Sequence, residues 1–322
     1  MKIDLKDRKI LYQLSLNARQ SLNQIGKKVN LSKNTVDYRI KKLEKNGIIR
    51  NYYTFIDGIR LGFTVIRLYI SFQYITEEIK KEIIDYFINS KLAVVIYSLQ
   101  GGYDFEVVFW FKDQNRFYTY WQKTLRKYGD YFQDQTISFY IKYITHKLSF
   151  LMSGFEKIDH AKNIDVLGGN KSIEVDDIDI NILKIISSDA RIPLINISKK
   201  IGMSPEAIKY RINNLIKNEI IKGFRANIDH SKIGYQYFKL DIYLKDYNQR
   251  DKIINYIKNN IYLFSIDVTT GSSHLELEFF VKDLSHLNEI MNEINKKFPG
   301  TMRNFKYLNF KEVHKYLFFP EE

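Results

Sequence analysis

Asn34, Tyr38, Lys41 and Lys45 follow one another at steps of four, three and four residues, the spacing that puts side chains on one face of an α-helix. That face offers an amide able to pair with an adenine edge, a phenol, and two ammonium groups suited to phosphate. Ser32, Lys33 and Thr35 crowd its start, where the free backbone N–H groups of a helix N-terminus also attract phosphate. Lys42 completes the basic set, and Arg39 lies at the edge between the polar and apolar faces. From that edge Arg39 serves phosphate contact or an internal salt bridge equally well.

Such a helix needs neighbours to hold it. Apolar residues fall at helical spacing in three groups: Ile10, Leu11 and Leu14; Leu22, Ile25 and Val29; Val36, Ile40 and Leu43. Three short amphipathic helices are expected. Ser32 is placed to cap the third after the short link Asn30-Leu31, so the second and third helices form a helix-turn-helix. The alternating stretch Ile48 to Ile56 reads as a strand, a wing or a hinge.

The whole unit occurs twice. Asn17-Ala18-Arg19 returns as Asp189-Ala190-Arg191, Tyr38-Arg39-Ile40 as Tyr210-Arg211-Ile212, and Ile56-Asp57 as Ile228-Asp229, so residues 7–63 lie on 179–235 without a gap. A spacing kept that strictly marks a duplication. In the second copy Ser204 takes the cap position, and the stripe reads Glu206, Tyr210, Asn213 and Lys217, with Lys209 and Arg211 beside it. Glu206 would repel phosphate unless it accepts a hydrogen bond from the cytosine N4 amino group. The second unit is therefore expected to be an accessory DNA binder or a structural relic.

Charge is distributed to match. Residues 1–60 hold 14 Lys/Arg against 5 Asp/Glu, whereas residues 173–232 hold 10 against 8 and residues 233–322 hold 12 against 12. Most of the net +13 therefore sits in one sixty-residue segment, the pattern of a localised polyanion contact rather than of evenly spread solubilising charge. The 322 residues contain no cysteine, which excludes disulfides, thiolate metal sites and a cysteine nucleophile. No apolar run approaches the roughly 20 residues of a membrane span, and the start Met1-Lys2-Ile3-Asp4-Leu5-Lys6 lacks a signal peptide's apolar stretch. A cytoplasmic protein with no membrane partner is expected.

Between the two basic units, Val65–Phe72, Ala93–Leu99, Phe105–Phe111 and Thr136–Ile144 read as strands and Glu77–Asn89 and Asn115–Tyr128 as helices. The order βαββαβ is ferredoxin-like, and it returns from Tyr235 to Phe319, where His314-Lys315 is matched to His146-Lys147. The expected fold is α+β, in two repeats. Its parts are winged helix-turn-helix units at 1–60 and 174–232, ferredoxin-like domains at 61–152 and 233–322, and a polar linker at 153–173.

This combination resembles the Lrp/AsnC, or feast/famine, transcription regulators. Asp7-Arg8-Lys9-Ile10-Leu11, Asn17-Ala18-Arg19, Leu31-Ser32, Arg39-Ile40-Lys41-Lys42-Leu43-Glu44, Gly47-Ile48-Ile49 and Gly102-Tyr103-Asp104 carry the resemblance. It implies a sequence-specific DNA-binding regulator modulated by an amino acid or related small metabolite and self-associating through its ferredoxin-like domains. It also implies an effector loop at Gly101, Gly102, Tyr103 and Asp104, with Thr136 on the matching last strand. Asp104 could pair with an effector's amino group or bond its own backbone. Because members of that family carry one such pair of domains per chain, one polypeptide here is expected to supply what is usually a dimer, sheet against sheet.

Two alternatives accompany that reading. The siroheme decarboxylases share the architecture but carry a His- and Arg-containing motif on the central strands, and Val107 to Phe111 holds neither residue. The six histidines make no close metal-ligand pair by spacing, and there is no phosphate-cradling glycine loop or nucleophile elbow. No cofactor, metal site or catalysis is expected. The other alternative is a sensor or assembly module with degenerate DNA binding.

Overall fold

The computed structural model describes residues 3–154, 159–271 and 273–320. Met1 and Lys2 of the amino-terminal stretch, part of the expected linker, and Ser272 in the second turn lie outside the described residues.

Asp4 starts the first helix. Its carboxylate accepts from the Asp7 N–H at 2.8 Å while the Asp7 carboxylate accepts from the Asp4 N–H at 3.2 Å, a reciprocal cap that opens α1, Leu5–Leu16. Ser21 and Gln24 repeat the device at α2, Leu22–Val29, and Ser32 caps α3, Lys33–Lys45. Ile10, Leu11, Leu14, Ile25, Val29, Val36, Ile40 and Leu43 are all buried, and Leu22 packs at the rim. Each such aliphatic side chain contributes about 1.5–3 kcal/mol when fully buried, so the three-helix unit is held by the predicted stripe. Strand β1, Ile49–Ile56, follows.

The first ferredoxin-like domain contains β2 (Thr64–Phe72), α4 (Glu77–Ile88), β3 (Ala93–Gly101), β4 (Phe105–Phe111), α5 (Gln114–Tyr128) and β5 (Phe132–His146). Its continuation is not a free tether. Leu148, Phe150, Leu151 and Met152 are buried against the first helical core, and β6, Ile164–Gly168, pairs with the end of β5. The second half repeats α6 (Asp177–Ser188), α7 (Leu194–Ile201), α8 (Pro205–Lys217), β7 (Ile221–Ile228), β8 (Gln236–Leu244), α9 (Arg250–Ile257), β9 (Leu263–Thr270), β10 (Leu275–Val281), α10 (Leu284–Lys297) and β11 (Met302–Tyr316).

The offset of 172 holds through β8 and becomes 170 from β9 onward, because α9 and its flanks are shorter than α4 and its flanks. His146 at the end of β5 therefore corresponds to Tyr316, and Lys147 to Leu317; the match to His314-Lys315 is corrected by two residues.

The expected wing is a joint between the halves. β1 and β7 pair antiparallel with each other, Tyr52 opposite Ala226 and Thr54 opposite Phe224. Ala18 N–H donates to the Phe224 carbonyl at 2.7 Å, and its repeat mate Ala190 donates to the Tyr52 carbonyl at 2.9 Å. Each helical core thus borrows from the other half: Ala226 and Ile228 join the first, Ile56 the second.

The two ferredoxin-like sheets also close on each other. Strand β5 is fifteen residues long, longer than the expected Thr136–Ile144, because its first half pairs with β2 and its second half crosses to β9. β11 does the same with β8 and β3. The order β2-β4-β3-β11-β8-β10-β9-β5 returns to β2, an eight-stranded closed ring with β6 on its flank. Outward positions such as Ile66, Leu68, Phe105 and Phe109 pack with α4 and α5, and Leu240, Ile242, Leu277 and Phe279 pack in the mirrored core.

Alternate positions on the same strands face the other sheet. There the interior is charged: Arg67, Glu106, Lys239, Asp241, Asp267, Glu276 and Glu278 are all at most 3% exposed. Arg67 holds Asp267 at 2.7 Å and Glu276 and Glu278 at 3.1 Å each. Lys239 holds Glu276 at 2.8 Å and also contacts Asp241. Arg67 and Lys239 are repeat mates, as are Glu106 and Glu276, whereas Asp241, Asp267 and Glu278 replace Tyr69, Tyr97 and Val108. The second copy has added three carboxylates to an interior with two cations.

Candidate nucleic-acid interface

The third helix presents the expected face. Asn34, Tyr38, Lys41 and Lys45 are exposed, together with Ser32, Lys33 and Lys42, and Tyr38 is 66% exposed although it is aromatic. Burying Val36, Ile40 and Leu43 leaves that stripe no other direction to point. Lys41 bonds Asp37 one turn earlier at 2.7 Å, which aims the ammonium along the helix without removing it from solvent. The Ser32 hydroxyl accepts from the Thr35 N–H at 3.2 Å and bonds the Thr35 hydroxyl at 2.8 Å, so both residues shape the helix start.

Arg39 makes the internal salt bridge that its edge position allowed. Its guanidinium bonds Asp4 at 2.8 Å and Asp7 at 2.7 Å, clamping α3 to the cap of α1. Arg211 repeats the clamp with Asp176 at 2.8 Å and Asp179 at 3.0 Å. An ion pair this close to the surface is worth about 1 kcal/mol or less. Arg39→Ala is expected to lower the melting temperature by a few degrees while leaving the salt dependence of DNA binding unchanged. A salt slope that falls with this variant would return Arg39 to the phosphate contacts.

In the second unit, Ser204 caps α8 by accepting from the Ala207 N–H at 3.2 Å. Glu206, Lys209, Tyr210, Asn213 and Lys217 are exposed. The geometry of a reading helix is kept, and its charge is altered.

The turn between β3 and β4 brings Tyr103 and Thr136 together, hydroxyl to hydroxyl at 2.8 Å, with the Tyr103 ring stacked on Tyr69 at 4.9 Å. Gly101 has φ +126°, and a Cβ there would lie 2.5 Å from the Tyr307 carbonyl oxygen, so the close approach of β11 requires glycine. Gly102 carries the chain on toward Tyr103 with its N–H toward the same carbonyl at 3.4 Å. The Asp104 carboxylate accepts from the Phe72 N–H at 2.8 Å, and in the second half the His274 imidazole accepts from the Leu244 N–H at 2.9 Å. These are repeat mates, and the Asp104 carboxylate serves as an acceptor that finishes the end of β2.

Histidine spacing concealed one neighbour relation. His146 and His160 stack at 4.4 Å, and burial pushes them down to about 3 and about 4, so both are neutral imidazoles. Among the described residues no group of three or more His, Cys, Asp or Glu could hold a metal ion.

Sequence reasoning missed the space between the ring and the β1–β7 ribbon, a cavity of 340 Å³. Arg50, Arg225 and Tyr53 from the ribbon, His146 at the end of β5 and Lys147 after it, and Glu106 from the sheet wall are among its lining. Lys239-Leu240-Asp241 and Glu276-Leu277-Glu278 alternate as a half-solvated strand does, and nothing in one strand says that a second sheet covers it.

Comparison with known proteins agrees with the first part of this geometry. A family described as winged helix-turn-helix DNA-binding matches residues 3–50 and again 175–222. An HTH-type transcriptional regulator of Pyrococcus furiosus is 34% identical over 147 residues, 43% of this chain and 94% of that protein. The HTH-type transcriptional regulator LrpB of Bacillus subtilis is 26% identical over 145 residues, 45% and 94% of the two chains. The regulatory protein AsnC of Haemophilus influenzae is 28% identical over 118 residues, 36% and 79% of the two. Each relative spans less than half of this chain, as a duplication requires. Across the whole length, the crystal structure of the siroheme decarboxylase NirDL shares the fold with a TM-score of 0.63 at 11% identity, covering 98% of this chain and 94% of that one. Among the described residues no helix is long and apolar enough to cross a membrane.

Proposed function

The chain belongs to the Lrp/AsnC family of DNA-binding transcription regulators, and from that premise we propose that its operator contact is made chiefly by α3, with α8 as an accessory reader. The exposed stripe Asn34, Tyr38, Lys41 and Lys45 on the most basic sixty residues carries this reading. Asn34 reads a base edge, Lys41 and Lys45 meet phosphates, and Lys33 and Lys42 flank them. In α8, Lys209, Tyr210 and Lys217 add backbone contact while Glu206 limits it.

The proposal extends to regulation. An amino acid or related small metabolite modulates DNA affinity, with Gly101, Gly102, Tyr103 and Thr136 as the loop residues in reach of it. Copies of the chain associate further through the outer surfaces of the ferredoxin-like domains, and the protein works in the cytoplasm. Catalysis is not part of the reading. β4, which would carry a decarboxylase motif, is buried throughout and contains neither His nor Arg, and strong Soret absorbance of the purified protein is the result that would reopen the enzyme alternative.

An electrophoretic mobility shift with the chain's own promoter tests the DNA contact. Neutralising Z phosphates makes log K fall with log salt at a slope of about −0.9Z, so six contacts lower the affinity by roughly a thousandfold between 50 and 200 mM salt. Salt-insensitive binding, or none at low salt, contradicts the proposal.

A further inference from the structure

The cavity under the β1–β7 ribbon straddles the axis that relates the two halves, because its wall contains repeat mates. Arg225 lies across from Tyr53, His230 from Gly58, His146 from Tyr316, Lys147 from Leu317, and Glu278 from Val108, and all ten line it. Every charged or imidazole member of these five pairs is on one side, whereas Asp57 and Asp229, also repeat mates, put a carboxylate on each. The five pairs give one wall its cations and leave the other, Asp57 apart, with neutral aromatic and aliphatic side chains.

On the neutral wall Phe318 stacks on Tyr53 at 5.2 Å, Tyr316 meets Tyr53 edge-on at 5.1 Å, and Trp110 closes over Phe318. On the ionic wall the guanidinium of Arg225 and the ammonium of Lys147 share one carboxylate, Asp165. Arg50, also in the wall, is matched by Asp229 at 2.8 Å. Burial and then the neighbouring Arg225 push Lys147 down to about 8, the strain of two cations sharing one anion. Arg225 Nε and His146 Nδ1 are buried there without a hydrogen-bond partner. Unpartnered buried polar atoms cost about 1–3 kcal/mol each, and cluster where a ligand completes them.

We propose that this cavity binds a small monocarboxylic acid with an aromatic or branched apolar body, its carboxylate on Arg225, Lys147 and His146 and its body against Tyr53, Tyr316 and Phe318. None of Gly101, Gly102, Tyr103 or Thr136 lines it, so the site is distinct from the turn and goes beyond the effector reading given above. Its volume lies within the ordinary range of small-ligand sites, about 300–1,000 Å³. Because Tyr53 and Arg225 belong to the ribbon on which both helical units rest, an occupant that favours one ribbon position biases how the reading helices are presented.

The probe is 3-phenylpropanoate, with 3-phenylpropanamide as its uncharged counterpart, measured by calorimetry and by Trp110 emission in a Trp121→Phe background. The acid binds saturably at one site per chain, and the amide binds at least about tenfold weaker, as loss of a charge-assisted contact requires. Arg225→Met weakens the acid by a similar factor. Because Arg225 is buried, Val108→Phe provides a second variant that fills the cavity from the neutral wall and abolishes binding, with thermal unfolding confirming that it is folded. Equal affinity for acid and amide, binding that survives Val108→Phe, or no binding by the folded protein overturns the proposal. Mobility shifts without probe report the DNA contact separately, so failure of one reading is distinguishable from failure of the other.

Discussion

Replacing Lys33, Asn34 and Lys41 together with alanine lowers affinity for the operator by roughly a hundredfold or more, while alanine at Lys209 and Lys217 lowers it by less than about tenfold. Two phosphate-facing lysines reduce the salt slope by about 2, and a base-reading amide adds about 1–3 kcal/mol of discrimination. The three positions are exposed on α3, so the variant is expected to fold normally and the loss to reside in the contact itself. α8 loses less because Glu206 and Asn213 stand where Asn34 and Lys41 do in α3. Anisotropy titrations over a range of salt separate the terms. A larger loss from the α8 pair would reverse the ranking of the two units.

The second large effect lies inside the ring. Arg67→Met leaves Glu106, Asp267, Glu276 and Glu278 facing one another without the guanidinium that pairs with all four. Breaking a buried network this way costs on the order of 3–5 kcal/mol, a large share of the roughly 5–15 kcal/mol that stabilises a typical fold.

The cost depends on pH in a fixed direction. Burial pushes Glu106 up to about 7 and, with Glu278 beside it, Asp267 well above the ordinary carboxyl range. Groups raised on folding hold protons that the unfolded chain has released, so their stabilisation is fully present below the unfolded value and is lost as pH rises through the folded one. These carboxyls should therefore pull the melting temperature down between pH 5 and pH 8, against the opposite pull of the buried neutral His146 and His160, which cost stability as pH falls below their unfolded value, and Arg67→Met should steepen the decline. Glu106→Gln keeps the neutral shape and should flatten it, by on the order of 3 kcal/mol in unfolding free energy at pH 8. Unfolding curves of wild type and Glu106→Gln across this range settle the matter; a difference between the two that does not change with pH would mean that Glu106 is solvated.

The contrast between the two regions shows what periodicity can and cannot convey. The stripe on α3 was legible because one helix packs on one core, so the apolar set Val36, Ile40 and Leu43 determines where Asn34, Tyr38 and Lys41 point. Arg39, at the boundary between faces, was not decidable until Asp4 and Asp7 were seen within reach, a relation across 35 residues of chain. The strands were legible in type and order. Their closure was not, because the crossing of β5 to β9 and of β11 to β3 is encoded only as extra strand length.

The charged sheet faces misled for a related reason. Glu276 and Glu278 alternate with Leu275 and Leu277 just as they would beside water, and the second sheet that buries them is the other copy of the same pattern. His146 and His160 were likewise separated in sequence and joined only by the turn after β5. Duplication was the most informative signal, since it located both units, yet the cavity arises from positions where the copies differ.

The central claim is that α3 lies against duplex DNA. A photo-crosslinking phenylalanine analogue at position 38, introduced in place of Tyr38, tests it most directly in complexes formed on the chain's own promoter. An efficient, salt-sensitive protein–DNA crosslink is expected from position 38, and a much weaker one when the analogue replaces Tyr74, which is more exposed still in the loop before α4. A crosslink from position 74 but not 38, in a complex that still shifts the promoter, would contradict it.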